Sequence, residues 1–201
     1  MFREYEHSAG AQSSLQQEAR KDMKVWMGIL LVAAMITSSG CFDMPSVYPL
    51  YTDQTSVAEP RIVGAWQTRD GKDQMFVKLI GDRDYRLTYI DDKGDASLWE
   101  LRFARLGEIS VADMMVVKDD TGMIPAHHFL ALSFNNAALR VWFLDSSPLR
   151  EKAGKEGLAF VRGNKDEVVL TAPPTALTAF LKKNLADEMK RDADQEFLAL
   201  K

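Results

Sequence analysis

Cysteine occurs once in the 201 residues, as Cys41. That excludes an internal disulfide, and no Cys/His array has the spacing of a zinc site. Histidine is also scarce, with three residues, two of them adjacent at His127-His128. No serine lies in a Gly-x-Ser-x-Gly elbow, and no glycine loop has the spacing that cradles phosphates. No apolar run reaches the ~20 residues that span a bilayer as a helix. No long basic block occurs either: 25 Lys and Arg stand against 29 Asp and Glu, a net charge of −4 with both signs mixed. A nucleic-acid binder would carry a basic stripe. These absences lead us to expect a chain that is not an enzyme and uses no metal or cofactor.

A hydrophobic fraction of 46% supplies a real core, and the length fits one ordinary domain with extensions. Residues 1–22 are polar and lack an apolar face. They read as a dispensable extension ahead of a natural start at Met23, and His7 carries no role in it. Lys24 then opens KVWMGILLVAAMI, a basic residue followed by a dozen mostly apolar ones. Small residues follow at Thr37, Ser38, Ser39 and Gly40, and then Cys41. A basic start, a short apolar core and a small-residue end describe a secretory leader.

The stretch resembles a bacterial lipoprotein signal (residues 23–40) ending in a lipobox. The resemblance implies a diacylglyceryl group on the Cys41 thiol, cleavage between Gly40 and Cys41, and acylation of the new amino group. Ser38 stands where the pattern prefers Leu. Two or more acyl chains hold a protein stably at a membrane, at about 0.8 kcal/mol per buried CH₂. In the sorting rule of such lipoproteins, Asp directly after the cysteine retains the protein in the inner membrane. Here Phe42 follows and Asp43 comes one place later. The expectation is a periplasm-facing envelope protein, at the outer membrane in preference to the inner.

Residues 42–60 hold three prolines and no regular period, and read as a linker with a coil reach of roughly 25 Å. Val47, Tyr48, Leu50 and Tyr51 are too apolar for an inert spacer, so part of it is expected to lie against the domain. From Arg61 on, turn signals recur: Asp70-Gly71, Gly81-Asp82, Asp92-Lys93-Gly94, Gly107-Glu108, residues 119–122 and Asn135-Asn136. The segments between them alternate. Tyr85, Leu87 and Tyr89 share a face, as do Trp99, Leu101 and Phe103, and Leu139, Val141 and Phe143. Met114–Val117 and Phe129–Phe134 alternate less cleanly. The spacing predicts a mainly β domain over residues 61–201, an antiparallel meander curling into a barrel or strongly bent sheet. Its tail is expected to hold a short helix at 146–157, strands at 158–161 and 167–171, and a final short strand at 196–200. Pro173-Pro174 opens an amphipathic helix whose face is Leu177, Phe180, Leu181 and Leu185, packed on the sheet.

Gly64-Ala65-Trp66 puts Gly-x-Trp at the start of the first strand, and a helix and short strand close the chain. This order resembles the lipocalin or calycin pattern. The resemblance implies that Trp66 plugs one barrel end, that Gly64 relieves crowding where the chain enters, and that a late basic residue, Arg162 or Lys201, stacks on the tryptophan. The layout Pro49-Leu50-Tyr51-Thr52, Val63-Gly64-Ala65-Trp66, Leu170-Thr171-Ala172-Pro173 also resembles a group of bacterial lipoproteins with no assigned activity.

Little chemistry is spelled out. His127 and His128 fall on opposite faces of a strand and cannot share a metal. Asp91, Asp92 and Asp95 lack calcium-loop spacing and read as a solvated hairpin tip. Trp99, Leu101 and Phe103 could line a cavity or fill a core. The reading is a lipid-anchored envelope protein acting as a structural or assembly accessory through protein contact. The alternative is a lipocalin-like module holding a small apolar or amphipathic ligand. Its partners are then the membrane, through Cys41, and an envelope protein, with nucleic acid excluded.

Overall fold

In the computed structural model, residues 44–117, 126–135, 137–162 and 168–200 are described. Cys41, Gly40, the leader and the turn signal at 119–122 lie outside the described residues. The alternating segments form strands β2 (Gly64–Thr68), β3 (Gln74–Leu79), β4 (Tyr85–Ile90), β5 (Ala96–Leu106), β6 (Ile109–Val116), β7 (His127–Asn135) and β8 (Ala138–Phe143). Ahead of them come a two-residue strand β1 (Ser56–Val57) and a 3-10 turn (Pro60–Ile62). After them come α1 (Ser147–Lys155), β9 (Phe160–Arg162), β10 (Val168–Leu170), α2 (Pro174–Glu188) and β11 (Gln195–Ala199). Gly71 and Gly94 sit at φ +76° and +85°, the left-handed conformation that these tight hairpin turns require.

Eight strands close an antiparallel barrel in the order β5-β4-β3-β2-β11-β8-β7-β6, with β6 returning to β5. The final strand completes it. Phe197 pairs with Thr68 of β2 and with Leu139 of β8, so β11 fills the gap that the meander leaves. Closure removes the unpaired edges that an open sheet would offer to other chains.

Register fixes which side chains point inward. Trp66, Met75, Val77, Tyr85, Leu87, Leu101, Phe103, Met114, Leu130, Leu139, Val141 and Phe197 join one contiguous buried cluster inside the barrel. Tyr85 meets Phe103 edge-on at 5.1 Å between ring centres. A second cluster lies outside the sheet. The outward residues Ala104, Leu106, Val111, Phe129, Ala131 and Trp142 are covered by α1, α2 and the β9–β10 pair. On α2, Leu177, Phe180, Leu181 and Leu185 are buried in that layer, while Lys182 and Lys183 face water. Strands β6 and β7 are therefore buried on both faces, which is why their sequences do not alternate.

The 42–60 stretch lies against the barrel from Met44 onward. Met44, Ser46, Leu50 and Glu59 are buried, Tyr51 is half-buried, and Val47 and Tyr48 are exposed. Leu50 N–H donates to Asp113 Oδ2 at 2.6 Å, and His127 Nδ1 donates to Asp113 Oδ1 at 2.6 Å. Asp113 is thus the buried acceptor that pins this strap to the outer face of β6. Tyr51 packs beneath the Arg102 guanidinium, 5.0 Å from the ring centre. Burial, and after it the Asp113 charge, pushes the Tyr51 phenol above its ordinary value.

Phe103 is fully buried and Phe76 is 40% exposed. Phe103→Ala is expected to lower unfolding stability by about 3–5 kcal/mol through the cavity it leaves. Phe76→Ala is expected to stay within about 0.5 kcal/mol of the parent. Urea unfolding checks both.

Candidate functional site: two barrel ends and an apolar band

The two ends of the barrel differ. At the end where β2 begins, Glu59 is 1% exposed yet fully partnered. It accepts from Arg61 Nε at 2.6 Å, Arg61 Nη2 at 2.7 Å and Ser110 Oγ at 2.6 Å, with Arg105 Nη2 at 3.5 Å. Glu59 N–H donates to Tyr85 Oη at 2.8 Å. Burial alone would raise this carboxyl, but the Arg61 and Ser110 hydrogen bonds and the Arg61 and Arg105 charges hold it below the usual range. The 3-10 turn covers this end. Trp66 is buried there, its Nε1–H donates to Ile62 O at 2.8 Å, and its ring meets Phe134 at 6.5 Å. Gly64 takes φ +144° where the chain leaves the turn for β2, a value L side chains resist. The cation stacked on an aromatic ring here is Arg61, 4.5 Å above Phe134. Arg162, expected near Trp66, lies instead over Phe160 at 5.7 Å, because β9 stands outside the barrel. Lys201 is outside the described residues.

At the other end the inward residues are half-buried aromatics. Tyr89, Trp99 and Phe143 rest on the interior cluster, and Trp99 meets the His128 ring edge-on at 5.8 Å. Of the three residues expected to line a cavity, Leu101 and Phe103 belong to the packed interior and Trp99 to this mouth. The two adjacent histidines separate as alternation requires: His127 turns outward to Asp113 and His128 inward to Trp99. Burial, helped by the charge of His127, lowers His128 to about 4. The Asp91 carboxylate accepts from the Lys93 and Asp95 N–H groups, so the acidic turn is closed on itself. No group of three or more metal-ligating side chains occurs among the described residues.

The flank of the barrel away from the helices is bare, and register shows what it presents. Leu200 N–H donates to Ala65 O at 2.8 Å. Ala65 pairs with Phe76, Phe76 with Thr88, and Thr88 with Leu98. Val117 N–H donates to Leu98 O at 3.0 Å. Leu200, Ala65, Phe76, Thr88, Leu98 and Val117 therefore form one outward row of cross-strand neighbours. At about 4.8 Å per strand the row is about 24 Å long. Leu200, Phe76 and Val117 are 43%, 40% and 38% exposed, with the half-buried Ala65, Thr88 and Leu98 standing between them. The adjacent outward row is Lys78, Arg86 and Glu100, with Arg86 Nη2 donating to Glu100 Oε1 at 2.9 Å. Gln67, Gln74, Ile90 and Ala96 border the other side. A row that is apolar but for Thr88, with charged and amide groups among its neighbours, has the mixed composition of an interaction face.

A shallow depression of about 410 Å³ lies outside the barrel near the end of α2, lined in part by Arg140, Arg191, Asp192 and Glu196. Most of its charges are paired: Arg191 holds Glu188 and Asp194, and Arg140 holds Glu196. Comparison with protein-family models, curated proteins and solved structures finds no match. Sequence reading missed the Glu59 cluster, the Asp113 latch and the apolar band. Each depends on pairing across strands, which no local pattern encodes.

Two pH effects follow, both destabilising on acidification. His128 is depressed in the folded state, so its contribution is complete above about 6.5 and is lost as pH falls towards about 4. In His128→Gln, urea-unfolding stability is expected to fall less across that window than in the parent. Glu59, also depressed, contributes above its ordinary value of 4.5 and loses that contribution below it. Glu59→Gln is expected to lower stability at pH 7 by about 1–3 kcal/mol, from weakened charge-assisted hydrogen bonds, and to flatten the loss below pH 4.5.

Proposed function

We propose that this chain is a lipid-anchored bacterial envelope protein, held at a membrane through Cys41, that serves as a structural or assembly accessory to another envelope protein. The observation that carries the accessory role is the bare apolar band on a barrel whose interior is occupied by its own side chains. Such a barrel offers its partner a surface. The band fits a protein with a complementary apolar ridge, and Lys78, Arg86 and Glu100 beside it supply charges that set register without adding much affinity. The leader ending at Cys41 supports the address, since a lipobox-like segment precedes the described domain by only a few residues. Among the described residues no helix is long and apolar enough to cross a membrane. A second reading, a module for a small apolar ligand, draws on the half-buried Tyr89, Trp99 and Phe143 at the open mouth.

Native mass spectrometry after extraction in mild detergent tests both parts. An acylated Cys41 amino terminus is expected, and an intact leader with a free thiol contradicts the anchored reading. A co-purifying protein is expected whose retention drops at least about tenfold in Phe76→Lys/Leu200→Lys, with the thermal midpoint preserved. A retained small molecule, lost in Trp99→Ala and unaffected by changes in the band, would replace the accessory reading with the ligand-binding one.

A further inference from the structure

At the start of β7 the strap takes the place that β8 has left. Ser46 and His127 exchange both backbone hydrogen bonds at 2.8 Å, Val47 N–H donates to Leu170 O at 3.0 Å, and Leu170 N–H donates to Pro45 O at 2.7 Å. Residues 45–47 therefore lie between β7 and β10, with β9 paired outside β10. Ser46 stands opposite Leu170, and Val169 stands opposite Val161. Ser46 and Leu170 are buried against the outer layer. Alternation then places Val47, Val169 and Val161 on the reverse face of this three-stranded ribbon, Val169 and Val161 in the row of Pro45 and Val47 one row along, beside Thr171. Val47 is 43% exposed, Val161 55%, and the neighbouring Tyr48 47%. Because Ser46 also stands opposite His127, this reverse face continues the side of the sheet that carries His128, the side of the barrel mouth.

We propose that this ribbon face is a lipid-contacting surface that seats the strap side of the barrel mouth on a phospholipid bilayer. The inference rests on the acylation of Cys41 put forward above. Met44 is 3% exposed and fixed in the outer layer, and only Phe42 and Asp43 separate it from Cys41. Three residues reach at most about 11 Å, so acyl chains on Cys41 hold the strap side of the body against the headgroups. A free coil from 42 to 60 would have let it stand off. Three and four residues along the chain from Met44, Val47 and Tyr48 are exposed, an apolar side chain and an aromatic with one polar tip, both suited to the water–lipid boundary. The charged turns at 69–73 and 91–95 lie on strands elsewhere around the rim, so the body tilts with the strap side down and those turns in water. This orientation leaves the Glu59 end pointing away from the membrane.

Acylation occupies Cys41, so an introduced cysteine is the sole reactive thiol of the acylated chain. The acylated protein carrying Val47→Cys, Val161→Cys or Leu79→Cys is labelled with an environment-sensitive fluorophore and bound to phosphatidylcholine vesicles containing a doxyl-lipid quencher. Leu79 is 52% exposed at the far end of β3. The labels at 47 and 161 are expected to be quenched at least about twofold more than the label at 79. Protein that floats with the vesicles while all three labels remain equally unquenched overturns this inference and leaves the anchor intact. Protein that does not float overturns both. Should a variant fail to fold, hydrogen exchange of the unaltered acylated chain reads the same face. Added protection at 45–48 and 160–162 on vesicles is expected, and unchanged exchange there overturns the proposal.

Discussion

Closure of the sheet by β11 is the constraint on which the rest depends. The meander from β2 to β8 leaves a gap between its first and last strands, and Phe197 fills it by pairing with Thr68 and Leu139 at once. The strand that does so follows two helices in the chain, so the segment that closes the barrel also carries the helical layer. Arg191 fixes that order in space. Its side chain binds Glu188 at the end of α2, Asp194 just before β11 and Phe143 O at the end of β8, while Trp142 Nε1–H donates to Arg191 O. Long-range pairing of this kind makes for slow, cooperative folding, because loop closure precedes the contacts that reward it.

Closure also creates two cores with different duties. The inner cluster of Trp66, Tyr85, Phe103 and Leu139 stabilises the barrel. The outer cluster attaches α2, the β9–β10 pair and the strap to one side of it. The other side stays bare. One molecule therefore carries three distinct surfaces: an apolar band on the bare flank, an aromatic mouth, and a valine ribbon where the strap begins. The Asp113 latch matters here because it converts what reads as a flexible tether into a rigid part of the body.

Much of this was legible in the sequence, for physical reasons. Tyr85, Leu87 and Tyr89 alternate because β4 has one wet face, and the α2 stripe of Leu177, Phe180, Leu181 and Leu185 has a single buried side. Strands β6 and β7 lost their alternation because both of their faces are covered, and Trp142 broke the β8 pattern by turning outward under α2. The strap was read as a linker with an apolar part because its anchors are long-range: Leu50 N–H reaches a carboxylate 63 residues away, and Ser46 pairs with His127. The site was less legible than the fold. Phe76 and Leu200 look like ordinary strand residues until register sets them in one row, and Glu59 looks solvated until Ser110 and Arg61 converge on it.

Residue-resolved hydrogen exchange under native conditions tests the closed barrel most directly. If β11 completes it, the amides of Gln195–Ala199 and of the flanking β2 and β8 exchange only by global unfolding, with the same free energy as Phe103 and Leu130 in β5 and β7. Fast exchange across β11, β2 and β8 beside a protected β5–β7 would show an open sheet with a loosely held final strand, and would contradict the account.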